Sequence, residues 1–129
     1  MKRHYRAILA ITVLVLAGLA ISTVSYYSIK VLTGIRSYVA GEGHWTKAQK
    51  EAVMSLAKYL ELREPQYYND FNKALAVTLG DKQARLNLLS DSFDREIVYE
   101  GFRQGNNRPE DIGYMIWLFR NLHYTRYMK

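Results

Sequence analysis

Residues 7–29 have the sequence AILAITVLVLAGLAISTVSYYSI, an uncharged and almost continuously apolar stretch near the start of the chain. A helix rises about 1.5 Å per residue, so roughly 20 apolar residues cross the hydrocarbon core of a bilayer, which is about 30 Å thick. The stretch is long enough to do so. It therefore predicts a transmembrane helix around which the rest of the chain is organised.

Charged and aromatic residues beside this stretch predict its orientation. Residues 1–6, MKRHYR, carry three fixed positive charges, and an excess of Lys and Arg favours the cytoplasmic side of a membrane. Tyrosine rings suit the headgroup region, and a lysine side chain placed there extends into water. We therefore expect a short cytoplasmic N-terminus, export of the residues after the stretch, and five anchoring residues at the two interfaces: Arg3, Arg6, Tyr26, Tyr27 and Lys30.

Two alternatives remain open for residues 7–29. A basic start, an apolar core and the small residues at 18–20 also fit a cleaved secretory signal, although the uncharged run is longer than the usual signal core of about 7 to 15 residues. The other alternative is the core helix of a soluble protein, but few residues remain to cover a helix that is apolar on every side. The transmembrane and signal interpretations both export the C-terminal part.

The charge distribution argues against a nucleic-acid partner, and the cysteine content excludes thiol chemistry. The formal net charge is +6, but four of the basic residues flank the apolar stretch, which leaves 14 basic and 12 acidic residues after position 30. These charges alternate along predicted helix faces, as a solvated surface does, so we expect no nucleic-acid partner. The chain has no cysteine, which excludes disulfide bonds and thiol chemistry.

The remaining sequence predicts one small all-α domain at residues 41–129. We expect the first helix to continue to Tyr38 and to end at GEGHW, residues 41–45, with Thr46 and Gln49 forming a capping box for the next helix. Proline favours helix starts at Pro65 and Pro109, Gly80 is expected to end a helix, and Asp81 to cap the following one. Ser90-Asp91-Ser92 is typical of a turn. No segment alternates with period two, so an up-and-down helical bundle is expected.

Helical periodicity predicts which side chains of these segments are buried. The residues concerned are Ala48, Ala52, Val53, Leu56, Tyr59 and Leu60; Tyr68, Phe71, Leu75 and Leu79; Ala84, Leu88 and Leu89; Ile97, Val98 and Phe102; and Ile112, Ile116, Phe119 and Leu122.

A search for chemistry finds no catalytic set. His4, His44 and His123 are scattered, and neither a metal-binding pair nor a nucleophile motif is present, so we expect no metal, no cofactor and no enzyme activity. The aromatic content is high, with 11 Tyr, 4 Phe and 2 Trp. Aromatic side chains combine an apolar body with a polar tip, which suits ligand sites.

Three residues are the candidates for such a ligand site, namely Trp45, Arg85 and Trp117. The alternative interpretation is that both tryptophans are core residues and that Arg85 forms a structural ion pair.

Four segments resemble the N-terminal sensory region of bacterial membrane-bound signalling proteins, such as sensor histidine kinases and diguanylate cyclases. They are GHWTKAQ (43–49), LGDKQAR (79–85), GFRQGNN (101–107) and DIGYMIWLFR (111–120). The resemblance implies a helical extracytoplasmic region behind a first transmembrane helix, and it transfers no ligand-binding residue. Such receptors continue into a second span and an output module, so we expect a truncated receptor with an incomplete bundle and no output activity.

Two functions are therefore open. The first is a sensory region anchored in the bacterial inner membrane, facing the periplasm and binding a small molecule or a protein. The second is a self-contained single-pass structural or interaction protein. For either, we expect the lipid bilayer as a partner, and a homodimer or a partner protein held through exposed helix faces.

Overall fold

The computed structural model describes the backbone of residues 2–126 and the side chains of residues 4–122, and all of its regular structure is helical. The helices are α1 (Lys2–Leu62), α2 (Pro65–Leu89), α3 (Arg95–Gln104) and α4 (Pro109–Arg126), with no strand among the described residues. The all-α prediction is thereby confirmed for this part of the chain. The helix starts at Pro65 and Pro109 and the turn at residues 90–92 are also confirmed.

Contacts divide the chain into two compact units, residues 1–32 and residues 33–129. The first unit contains one helical segment that is long and apolar enough to cross a membrane, and none of its most apolar 18-residue window is buried. A core helix of a soluble protein would be covered by its neighbours, so this exposure argues against that alternative. The hydroxyls of Thr12 and Thr23 donate to the carbonyl oxygens of Ile8 and Leu19 at 2.9 and 2.8 Å, which satisfies their hydrogen-bonding need within the helix.

The proposed anchoring residues lie on α1. The rings of Tyr26 and Tyr27 make an edge-to-face contact with centroids 5.5 Å apart, and the Lys30 ammonium lies 5.9 Å from the Tyr26 centroid. Arg6 is exposed, whereas the side chain of Arg3 lies outside the described side chains.

The predicted helix end at residues 41–45 is wrong, because α1 passes through it and continues to Leu62. Thr46 and Gln49 lie inside the helix and do not cap it. A glycine within a helix costs only about 1 kcal/mol relative to alanine, which neighbouring contacts can offset. At Gly41 the glycine serves a close approach, since a Cβ there would lie 2.8 Å from the Asn107 side-chain oxygen.

Gly43 offers a test of this continuous helix. Apart from its chain neighbours and the backbone of its own helix, no atom lies within 4 Å of a Cβ placed on Gly43, so alanine fits without displacing anything. We expect Gly43→Ala to raise the free energy of unfolding by about 0.5 to 1 kcal/mol, through the higher helix propensity of alanine. Thermal unfolding of the full chain in detergent, followed by circular dichroism, measures the change. A loss of stability would favour a turn at residues 41–45.

The predicted helix boundary at Gly80 and Asp81 is also wrong, because both residues lie within α2. A Cβ on Gly80 would lie 2.8 Å from the Gly101 carbonyl oxygen, and a Cβ on Gly101 would lie 2.7 Å from the Gly80 carbonyl oxygen. The two glycines therefore let the backbones of α2 and α3 touch. A third close approach occurs at Gly34 of α1, where a Cβ would lie 3.2 Å from the Tyr114 carbonyl oxygen of α4.

The core of the second unit lies where α2, α3 and α4 meet. Its buried members are Ala84, Leu88, Val98, Phe102, Ile112, Met115 and Ile116. Tyr38 of α1 packs against this cluster, with its ring edge-to-face on Phe102 and its hydroxyl donating to the Met115 carbonyl oxygen at 3.2 Å. Burial raises the pKa of this hydroxyl above the usual range for tyrosine, so the group keeps its proton and remains a donor.

Several predicted core positions are instead exposed, and three buried ones, Ala74, Met115 and Leu118, are absent from the predicted set. The exposed ones are Val53, Leu60, Tyr68, Leu79, Leu89, Ile97 and Leu122. The wrong assignments at Leu79 and Leu89 follow from the wrong boundary at Gly80, because the face of α2 was assigned from two shorter helices instead of one.

Candidate functional site

A groove of about 600 Å³ lies between α1 and α2 in the second unit. Glu42, Trp45 and Gln49 line it from α1, and their spacing of three and four residues places them on one helix face. The opposite wall is formed by side chains of α2, namely Thr78, Leu79, Asp81, Lys82, Arg85 and Leu86. The groove thus combines an indole and two leucines with charged and amide groups.

Arg85 lines this groove and joins its two walls. Its Nε forms an ion pair with Asp81 Oδ2 at 2.8 Å, one turn earlier on α2, and its Nη2 donates to Glu42 Oε1 of α1 at 3.0 Å. Among the side chains of residues 4–122, the remaining ion pairs each join residues three or four positions apart on one helix: Lys47–Glu51, Asp70–Lys73 and Glu100–Arg103. Among the side chains of residues 4–122, the ion pair that joins two helices is therefore the one between Arg85 and Glu42.

The burial of this triad is uneven, and the pKa values follow from it. The Asp81 side chain is 6% exposed, whereas those of Arg85 and Glu42 are 44% and 63% exposed. Burial raises the pKa of Asp81, and Arg85 counteracts only part of that rise. Burial lowers the pKa of Arg85, but the hydrogen bonds and charges of Glu42 and Asp81 outweigh it, so that pKa lies above its ordinary value. Arg85 is thus a permanent cation that holds a buried carboxylate.

The structure brings together two of the three residues that the sequence proposed for a ligand site. Trp45 and Arg85 line the same groove, whereas Trp117 lies half-buried on α4 and is not among the described residues of the groove wall. The carbonyl oxygen of Trp117 accepts a hydrogen bond from the Asn121 amide at 2.7 Å. The alternative interpretation of Arg85 as a structural ion-pair residue agrees with its contacts, and it does not exclude a ligand, because its side chain is 44% exposed.

The sequence does not predict Glu42 and Asp81 as the partners of Arg85 in the triad. The expected helix end at residues 41–45 puts Glu42 in a turn, and the expected boundary at Gly80 puts Asp81 at a helix N-cap. The i to i+4 spacing of Asp81 and Arg85 was the available signal, because such a pair lies on one helix face. No comparable signal links Glu42 to Arg85, which lies 43 positions later.

Two of the four segments that carry the resemblance line the α1–α2 groove. Residues 43–49 and 79–85 contribute to its two walls, whereas residues 101–107 do not line it and contact α2 where Gly101 approaches Gly80. In the last of these segments Asn107 is buried and donates through Nδ2 to the Phe102 carbonyl oxygen at 3.0 Å. Among residues 4–122, no group of three or more His, Asp or Glu side chains is arranged to hold a metal ion.

Neither protein-family models, nor curated proteins, nor solved structures match this chain. The functional argument therefore rests on the residues and their geometry.

Proposed function

We propose that this chain is the sensory region of a receptor in a bacterial cytoplasmic membrane, with residues 1–6 in the cytoplasm and residues 33–129 in the periplasm. The observation that carries the proposal is the α1–α2 groove, because one of its walls belongs to α1, the helix that also contains the apolar stretch 7–29. A ligand held by Trp45 and Arg85 would bind directly to that helix.

The groove suits a small amphipathic molecule that is neutral overall. Its four charged residues balance, with Glu42 and Asp81 opposed by Lys82 and Arg85. An ion of either sign would meet a like charge within the groove, whereas a zwitterion finds both partners. Trp45, Leu79 and Leu86 offer apolar surface for the rest of the molecule. An amino acid with an apolar side chain has this combination of groups.

Binding changes a receptor only if the ligand prefers one of two arrangements. The Arg85–Glu42 pair provides such a choice, because it is half-exposed and a bound carboxylate would compete with Glu42 for the guanidinium. We expect the ligand to favour an arrangement of α1 and α2 in which this pair is replaced by contacts to the ligand.

Tryptophan fluorescence tests ligand binding in the groove. Trp117→Phe leaves Trp45 as the single tryptophan, because the chain has only two. In this background the full chain in maltoside detergent is titrated with phenylalanine, phenylpropionate and phenethylamine, which present one ring on a zwitterion, an anion and a cation. We expect saturable quenching by phenylalanine at a concentration at least tenfold below that of either ion.

Two variants of the same background complete this experiment. Lys82→Gln, on the groove wall, is expected to weaken phenylalanine binding severalfold because it removes one cationic group. Lys73→Gln, on α2 but outside the groove, is expected to leave it unchanged. No saturable signal with any of the three compounds, or equal effects of the two variants, would remove the amino acid class from the proposal.

Single introduced cysteines test the proposed orientation of the chain in the membrane. Because the chain has no cysteine, His4→Cys and Met54→Cys each create a unique thiol at an exposed position. In intact cells treated to open only the outer membrane, a membrane-impermeant maleimide is expected to label Met54→Cys, and to label His4→Cys only after lysis. The reverse pattern would overturn the orientation, and labelling of both in intact cells would remove the transmembrane assignment.

A second candidate function is a single-pass interaction protein. It is favoured by the apolar face of α2, where Leu79, Leu86 and Leu89 are 52%, 59% and 55% exposed. For this function we expect Leu89→Gln to abolish self-association or partner binding of the full chain in a cross-linking experiment, and we expect no response of Trp45 to the three ring compounds. For the sensory function, Leu89→Gln leaves the titration with phenylalanine unchanged.

A further inference from the structure

A second cavity, of about 400 Å³, lies on another side of α1, between that helix and the start of α4. Its described lining includes Arg36 and His44 of α1, Arg108 and Asp111 at the start of α4, and the buried residues Ser37 and Asn107. None of these residues lines the α1–α2 groove, so a ligand of this cavity does not depend on the proposed function of the groove.

Two arginines face this cavity without a carboxylate partner. Among the side chains of residues 4–122, neither Arg36 nor Arg108 takes part in an ion pair. The one acidic residue of the lining, Asp111, also forms no ion pair. Two guanidinium groups at one cavity repel each other and draw in an anion.

Two lining residues of the cavity are held in place by hydrogen bonds. The Ser37 hydroxyl donates to the Thr33 carbonyl oxygen at 2.7 Å, and the Asn107 amide donates to the Phe102 carbonyl oxygen at 3.0 Å. Ser37 and Asn107 are 3% and 7% exposed, so these two parts of the lining are packed. The cavity therefore exists before any ligand arrives, and only the exposed arginine side chains have to be ordered on binding.

We propose that this cavity binds a phosphate group, held by the Arg36 and Arg108 guanidinium groups. A guanidinium presents paired N–H donors whose geometry matches phosphate oxygens, and such charge-assisted hydrogen bonds are the strong ones. The positive end of the α4 dipole lies at the same place and adds to the attraction. The carboxylate of Asp111 weakens this attraction. With two cationic groups and one anionic group in its lining, the cavity favours a singly charged phosphate ester over a highly charged one.

Two sources can supply such a phosphate group, a soluble phosphate ester or the headgroup of a lipid. Arg36 lies a few residues after Ile29, the last residue of the apolar stretch, and lipid headgroups are the groups expected beyond the end of a membrane-spanning stretch. The shared chemistry is the phosphate monoanion, and the two sources are separated by experiment.

Titration of the full chain in maltoside micelles tests the site. The probes are inorganic phosphate in one arm, at a pH below its second pKa so that the monoanion predominates, and phosphatidylglycerol against phosphate-free diacylglycerol in the other. The readout is the NMR signal of the Asn107 side-chain amide, which lies in the cavity wall. We expect saturable binding that is about tenfold weaker in Arg36→Gln and in Arg108→Gln, because each loses a charge-assisted contact.

Two further variants decide between this site and general attraction to a basic protein. Asp111→Asn is expected to tighten binding about threefold, because it removes a nearby like charge. Arg95→Gln, an exposed arginine at the start of α3 outside the cavity, is expected to change nothing. All four variants replace side chains outside the buried core, and unchanged thermal unfolding confirms that they fold.

Each outcome has a defined meaning. Saturable binding of inorganic phosphate, weakened in Arg36→Gln and Arg108→Gln, tightened in Asp111→Asn and unchanged in Arg95→Gln, supports the site with a soluble phosphate ester as the source. A response to phosphatidylglycerol alone, with the same order and none to diacylglycerol, supports it with a lipid source. No saturable response to either probe, or an Arg95→Gln effect equal to that of Arg108→Gln, overturns the proposal.

Discussion

Gly101→Ala is expected to lower the free energy of unfolding of the second unit by about 3 kcal/mol, the upper end of the range for overpacking a well-packed interior. The added Cβ would lie 2.7 Å from the Gly80 carbonyl oxygen and 2.9 Å from the Ala84 nitrogen. Both of these are backbone atoms, so no side-chain rotation relieves the contact. Helices α2 and α3 have to move apart, and Ala84 and Phe102 then lose packing around them.

Chemical unfolding of the full chain in detergent, followed by circular dichroism, measures this loss. Gly113→Ala is the matched control, because a Cβ on Gly113 of α4 has no atom within 4 Å apart from its chain neighbours and the backbone of its own helix. The control is expected to be neutral or slightly stabilising, as alanine is the better helix former. Equal effects of the two substitutions would mean that α2 and α3 do not cross at Gly80 and Gly101.

Arg85→Met is expected to lower the free energy of unfolding by about 2 kcal/mol. Removing one partner of a buried ion pair typically costs about 3 to 5 kcal/mol, because the other charge stays buried without compensation. The Asp81 side chain is 6% exposed, but Arg85 is 44% exposed, so solvent screening reduces the loss. Glu42→Gln removes the exposed end of the same triad and is expected to cost about 0.5 kcal/mol.

The pH dependence identifies Asp81 as the cause. In the folded chain burial raises the pKa of Asp81, so its charge destabilises the fold once the pH exceeds that raised pKa, and the penalty disappears below the pKa of the unfolded chain. Without Arg85 the pKa rises further. We therefore expect the stability lost in Arg85→Met to grow as the pH rises through the acid range and to shrink as it falls.

The double variant Asp81→Asn with Arg85→Met serves as the control for this measurement. With no carboxyl at position 81, the difference in stability between the double variant and Asp81→Asn alone should not follow the titration of Asp81. If Arg85→Met were destabilised equally from pH 4 to pH 8, lost packing of the arginine stem would be the cause instead.

The sequence predicted the helical class and the starts of α2 and α4, because proline restricts backbone geometry locally at Pro65 and Pro109. It failed at Gly41 and Gly80, where the local signal for a helix end is the same as the signal for a close approach. Only the partners, Asn107 and Gly101, distinguish the two cases, and both lie far along the chain. The membrane assignment rests on length and composition, which are properties of the stretch itself.

The same dependence on partners far along the chain explains which residues of the candidate site can be predicted from the sequence. Trp45 and Arg85 were proposed for their chemical character, which does not depend on the fold, and they do line one groove. Trp117 was proposed in the same way and lies elsewhere, because character alone does not give position. Glu42 entered the site only through the continuous helix α1, which sequence reasoning had divided at residue 41.

The contact between Gly80 and Gly101 also limits how this sequence can change over time. A Cβ at either glycine would collide with the backbone at the other, so a substitution at one position does not make a substitution at the other tolerable. No pair of larger side chains can therefore replace the two glycines together. Any relative that keeps this helix crossing is therefore expected to keep glycine at both places while its surface diverges. Two glycines 21 positions apart, with a small residue four positions after the first, form a pattern by which distant relatives can be recognised.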